Sequence, residues 1–273
     1  MRPAAVAQPD PTHLVLPAFA GDGLAHGFST RQGGVSPRPF DTLNLGITVG
    51  DDPDRVRENR RRLFAALGVR PEQIVRVRQA HGDQVLVVDG GLAGRAGFPG
   101  VLLDDGSRYD ALITDRPGLA LVVSTADCHP IFLWDRRRHA VAAIHAGWRS
   151  TLKRLGPATL ARMREVYGTD PADCAAAIGP GIRACCYEVD APVMAALRGA
   201  LPDWEACIAP RGPGKWLLDI AAVNRRLLAE AGVPPGSTFD TGLCTACRRD
   251  LFFSYRAESP RTGRMMNAVR VRG

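Results

Sequence analysis

Three short apolar runs at residues 119–124, 131–134 and 140–144, with only polar corners between them, constrain this chain most. Runs of this length, rich in aliphatic and aromatic residues and bounded by turn formers, read as strands. The second and third flank Arg136-Arg137-Arg138 and predict a β-hairpin with a basic tip. The first run ends in Ser124-Thr125-Ala126-Asp127-Cys128-His129-Pro130, and the third ends in Ile144-His145-Ala146-Gly147-Trp148-Arg149. A two-residue loop at Arg136 and Arg137 places Cys128 opposite His145. A three-residue loop centred on Arg137 places His129 there instead, because a slip of one residue exchanges the faces of a strand. Either register brings a thiol and an imidazole to the open end of the hairpin.

A second imidazole comes from upstream. Residues 74–77 and 85–88 read as strands, and Gln79-Ala80-His81-Gly82 forms the corner between them. His81, Cys128 and His145 thus make a set of two imidazoles and one thiol at strand ends. Zn²⁺ accepts that mixture, and three protein ligands with one open position form the catalytic arrangement. Each residue alone has a plainer reading, as a hydrogen-bonded histidine or a small buried hydrophobe. Convergence on one edge favours the metal.

These motifs, with Gly179-Pro180, Cys185-Cys186-Tyr187-Glu188 and Phe252-Phe253-Ser254-Tyr255-Arg256, resemble those of the bacterial purine nucleoside phosphorylase/adenosine deaminase family. That family was formerly described as multicopper polyphenol oxidoreductase (laccase-like) and includes peptidoglycan editing factors. The resemblance runs from about Gly27 to the C-terminus and includes Ser29-Thr30-Arg31-Gln32-Gly33-Gly34-Val35, Leu43-Asn44-Leu45 and Asn59-Arg60-Arg61-Arg62-Leu63. It implies zinc ligands at His81, Cys128 and His145, with copper as the alternative metal. It also implies phosphorolysis of adenosine, inosine, guanosine and methylthioadenosine, and hydrolytic deamination of adenosine. Four positions depart from the family pattern: His129 stands for an apolar residue, Gly181 for a cysteine, Arg183 for a glycine and Ser150 for a glycine.

The strand-like runs include 13–17, 27–29, 111–114 and 175–178, and helices are expected over 53–67, 156–167, 190–198 and 218–231. Without a regular βαβ beat, this mixture predicts an α+β fold with a mixed or antiparallel sheet and helices packed outside. The resemblance implies a single domain with a β-sandwich-like centre flanked by helices. Residues 1–12 read as a flexible leader before a catalytic domain over 13–273, and 101–108 as an acidic surface loop.

No apolar segment is long enough to span a bilayer. The seven cysteines are an odd number in a chain expected to be cytoplasmic, which argues against a disulfide framework. The net charge of +7 is carried almost wholly by arginine, since Lys153 and Lys215 are the only lysines. Its dispersion excludes a nucleic-acid module, while a positive field attracts phosphate. The clusters at 55–62 and 136–138 read as solvated faces. Expected partners are a nucleoside and phosphate, with neither nucleic acid nor membrane, and the expected assembly is a monomer or weak homo-oligomer.

The remaining candidates are polar residues beside these corners. Arg31, on a glycine-rich loop, and Arg149, beside the His145 corner, are candidate phosphate cations. Arg256 is a third cation, and Asn44 either bonds backbone or faces substrate. Asp127 is a candidate catalytic carboxylate or a turn cap. Cys244-Thr245-Ala246-Cys247 lacks a second CxxC, but Cys185 and Cys186 could complete a metal site; packing is the more economical reading. The rival chemistries are a metal-free Cys128–His145 hydrolase, peptidoglycan precursor editing, and copper-dependent phenol oxidation using His26 and His139.

Overall fold

Two twisted sheets stack face to face, and each has helices on its outer side, as the computed structural model shows. It describes residues 3–21, 23–89, 107–259 and 261–273, and residues 101–102 by their backbone. The expected α+β single domain with a sandwich-like centre is what forms. The larger sheet has seven strands and the facing sheet six, both mixing parallel and antiparallel pairs; a three-stranded sheet lies apart.

Side-chain alternation builds the layers. Leu121 and Val123 of the larger sheet meet Phe132, Trp134 and Val141 of the smaller in a shared core. The opposite faces of the same strands are apolar too. Ala120 and Val122 pack on Leu63 and Phe64 of helix Pro53–Ala66, while Ile131 and Leu133 pack under Leu160 and Met163 of helix Leu155–Tyr167. Burial on both faces explains why these strands read as continuous apolar runs.

Helices Ala191–Ala200 and Ile220–Glu230 also form where expected. Strand Met265–Val271 was not legible, because Asn267 and Arg270 interrupt its apolar pattern. It lies in the larger sheet between Leu24–Ser29 and Ala120–Thr125. Part of the expected leader is corrected: Ala7–Asp10 pairs with His13–Val15 as an edge strand. The expected acidic loop over 101–108 lies largely outside the described residues, although Val101–Leu102 pairs in parallel with Ile74–Arg76. Among the basic faces, Arg60 is a correction. It is buried and donates Nε and Nη2 to the Leu45 carbonyl, while Arg61 and Arg62 pair with Glu58 on the surface. No helix among the described residues is long and apolar enough to cross a membrane.

Candidate metal centre

The centre forms where the chain crosses between the sheets. Strand Ala120–Thr125 ends in the larger sheet and His129–Asp135 begins in the smaller. The corner between them carries Cys128, with Asp127 in the left-handed region at φ 89. His81 sits on its own corner at φ 58, and such non-glycine conformations persist where surrounding contacts fix them. Cys128 Sγ lies 3.8 Å from His81 Nε2. The His81 and His145 rings are 4.8 Å apart and nearly edge-on. One potential ligand atom from each of His81, Cys128 and His145 lies within 4.8 Å of the others.

The residues converge as expected, but both expected hairpin registers are corrected. Asp135 pairs with Ala140, leaving a four-residue loop, and His145 pairs with Pro130. The Asp135 carboxylate accepts from Arg137 N and Arg138 N at 2.9 and 3.0 Å, and His139 closes the loop at φ 51. An aspartate that caps two loop amides favours this longer turn. Cys128 therefore meets His145 from the corner beyond the ladder, not across it.

Asp110, which the sequence reading missed, organises the centre. Its Oδ1 lies 2.8 Å from His145 Nδ1 and accepts from His81 N at 3.0 Å. Its Oδ2 accepts from Ala80 N and Gly82 N at 3.1 and 2.6 Å. One buried carboxylate thus fixes both the His145 ring and the His81 corner. This leaves Nε2 of His145 to face the thiol, the usual orienting role of a carboxylate behind a histidine ligand. Burial works against charge on Asp110, but His145 and the amides of Gly82 and Ala80 outweigh it and hold its pKa below the ordinary value. Burial likewise pushes the Cys128 thiol up, and the charge and hydrogen bond of His145, aided by His81, bring it down to about 6. His145 is desolvated too, yet Cys128 and Asp110 raise it to about 9. Gly147 leaves room for this set: a β-carbon there would stand 2.8 Å from the His81 ring and 2.9 Å from Cys128 Sγ.

The centre lies in a cleft of about 810 Å³, within the range of small-molecule sites. Arg76, Arg78, Arg108, Arg149, Arg256 and Arg264 line it. Arg149 stacks on Trp148 at 4.3 Å, and Arg256 lies over Tyr187 while donating to the Glu188 carbonyl. Arg264, also missed from sequence, is held by the Thr262 and Gly263 carbonyls.

The expected role of Arg31 is corrected, while the hydrogen bonds of Asn44 and Asp127 follow the backbone-bonding and capping alternatives already open to them. Arg31 lies outside this cleft; it pairs with Asp41 and Glu258, donates to three carbonyls and stacks on Phe253. Asn44 is buried, bonding the Gly46 and Arg264 backbone and Asp51, so it supports the cleft instead of facing it. The Asp127 carboxylate accepts from Thr245 Oγ1, Ser254 Oγ and Arg256 N, which makes it the cap of the segment carrying Arg256.

His26 lies in the core, accepting from Leu16 N at 2.9 Å, and neither it nor His139 joins a metal-competent group among the described residues. His129 stands apart as well. Its ring nitrogens lie 3.0 and 3.1 Å from the Gly179 and Ile182 carbonyls. A β-carbon on Gly181 would come within 2.5 Å of that ring, so the departures at 129 and 181 are one spatial accommodation. His129→Leu should keep the metal while losing about 1–3 kcal/mol of stability, because a buried carbonyl loses its donor. Metal analysis beside a denaturation curve checks this, and loss of metal would refute it.

A family model described as multi-copper polyphenol oxidoreductase laccase matches residues 25–272. The chain is 41% identical over 257 residues to the purine nucleoside phosphorylase of Deinococcus radiodurans, covering 93% of this chain and 92% of that protein. It is 37% identical over 257 residues to purine nucleoside phosphorylase YfiH of Escherichia coli, covering 94% and 98%. The crystal structure of YlmD from Geobacillus stearothermophilus superposes with a TM-score of 0.91 at 34% identity, covering 99% of this chain and 100% of that one.

Proposed function

The chain belongs to the family described as multi-copper polyphenol oxidoreductase laccase, and from that premise we propose that it is a zinc-dependent purine nucleoside phosphorylase that also deaminates adenosine. The observation that carries this reading is the convergence of His81, Cys128 and His145 in a cleft lined by arginines. A thiolate-competent cysteine and two imidazoles, one oriented by a buried carboxylate, fit a borderline-soft divalent ion. When bound there, zinc would supply Lewis acidity. The same donors suit copper, but a multicopper cluster needs more imidazoles than converge here.

The chain's own residues supply binding and orientation. Phosphorolysis requires phosphate to be held against C1′ of the ribose while the purine leaves, and fixed guanidinium groups serve that task. Of the arginines lining the cleft, Arg149, Arg256 and Arg264 are the candidates for this task, and Asp127 fixes the backbone from which Arg256 projects. Tyr187 and Tyr255 also line the cleft and offer apolar faces to a purine.

A panel of adenosine, inosine, guanosine and methylthioadenosine, assayed with and without phosphate for base and ammonia release, tests this reading. Phosphate-dependent base release is expected from these nucleosides, and ammonia from adenosine alone without need of phosphate. Absence of base release across the panel would refute the phosphorylase assignment. A second reading, a metal-free Cys128 hydrolase, is favoured by the lowered thiol pKa beside the raised imidazole. It requires hydrolysis that survives complete metal removal.

A further inference from the structure

The other concentration of metal-binding side chains lies on the loops behind the cleft wall. Cys185 and Cys186 follow a turn in which Cys186 N and Tyr187 N both donate to the Arg183 carbonyl at 2.8 Å. Cys244 and Cys247 occupy a second turn, closed by Arg248 N donating to the Cys244 carbonyl at 3.0 Å. The two loops are joined by a bridge between Gly181 and Cys244 and by Thr245 N donating to the Gly181 carbonyl at 3.1 Å. Sequence economy assigned these cysteines to packing, yet Cys185 and Cys247 are exposed and only Cys244 is buried.

The sulfurs converge. Cys247 Sγ lies 3.5 Å from Cys185 Sγ and 3.4 Å from Cys186 Sγ. All four sulfurs fall within 4.8 Å of one another. Four thiolates tetrahedral about zinc at ~2.3 Å stand about 3.8 Å apart, whereas a disulfide brings two sulfurs to about 2.05 Å. Cys247 is nearly equidistant from both members of the vicinal pair, which suits a shared ion better than one covalent partner.

We propose that Cys185, Cys186, Cys244 and Cys247 bind one Zn²⁺ as a closed four-thiolate structural site that clamps these two loops together. A site with four protein ligands leaves no open position, so its role is architectural. The loops it joins carry Ile182 and Tyr187 from one side and lead to Tyr255 and Arg256 on the other, all lining the cleft. The clamp therefore fixes part of the cleft wall independently of the His81, Cys128 and His145 centre.

Metal content of the full-length chain, purified from zinc-replete cells without chelator, tests the proposal. With both centres filled, the wild type should carry two zinc ions per chain, and Cys247→Ser or Cys128→Ser should each carry one. One zinc that is lost in Cys247→Ser and kept in Cys128→Ser would still support the clamp while removing the other centre. One zinc that disappears in Cys128→Ser would overturn the clamp. So would two zinc ions retained in Cys247→Ser, iron at the cysteine site, or an intact mass lower by the two hydrogens of a disulfide. If Cys247→Ser fails to fold, wild-type stoichiometry with alkylation mapping decides the matter: all four cysteines should be shielded until the metal is chelated.

Discussion

Asp110→Ala should lose at least tenfold, and up to about a hundredfold, in metal affinity, the usual cost of deleting the carboxylate behind a histidine ligand. The expectation is strong because Asp110 holds two things at once: the His145 ring at 2.8 Å and the amides of Ala80, His81 and Gly82. Without it, His145 loses its orienting partner and the His81 corner loses the acceptor that keeps it left-handed. Removing one member of a buried charged pair also costs about 3–5 kcal/mol of stability. Equilibrium dialysis against zinc, with thermal unfolding followed in parallel, checks both effects. Unchanged metal affinity would show that His145 is positioned by its strand alone.

Arg149→Ala and Arg264→Ala should each lower phosphorolysis about tenfold to a hundredfold, since a charge-assisted hydrogen bond is worth roughly 1.5–3 kcal/mol. The loss should appear mainly in the dependence on phosphate concentration, with metal content unchanged and deamination less affected. Arg31→Ala is the informative contrast. Its guanidinium is committed to Asp41, Glu258 and three carbonyls, so its removal should lower the unfolding temperature before it touches phosphate affinity. Equal loss of phosphorolysis and deamination in the cleft variants would assign those arginines to nucleoside binding. A phosphate defect confined to Arg31→Ala would reverse the assignment.

What the sequence made legible was local. The apolar runs announce their strands because a strand buried on both faces needs an unbroken apolar sequence, and corners that carry His81, Cys128 and His145 stand out against them. The hairpin register was lost to one side chain, Asp135, whose caps lengthen the turn. Asp110 was missed because nothing near it in sequence marks its task. It is one acidic residue before the strand Ala111–Thr114, and its partners lie far away along the chain. Its place at the mouth of an apolar strand, the position also held by the chosen ligands, was the available signal. Arg31 failed for the opposite reason: a cation beside glycines resembles an anion site until its carboxylate partners, Asp41 and Glu258, are in view.

In the proposed function, nucleoside chemistry depends on the metal held by His81, Cys128 and His145. The most direct test of this dependence is phosphate-dependent hypoxanthine release from inosine by chelator-treated protein as zinc is returned. Negligible release is expected from the metal-free protein, with recovery that saturates with zinc and no recovery in Cys128→Ser. Full activity in protein verified to be metal-free, or zinc-dependent recovery in Cys128→Ser, would contradict it.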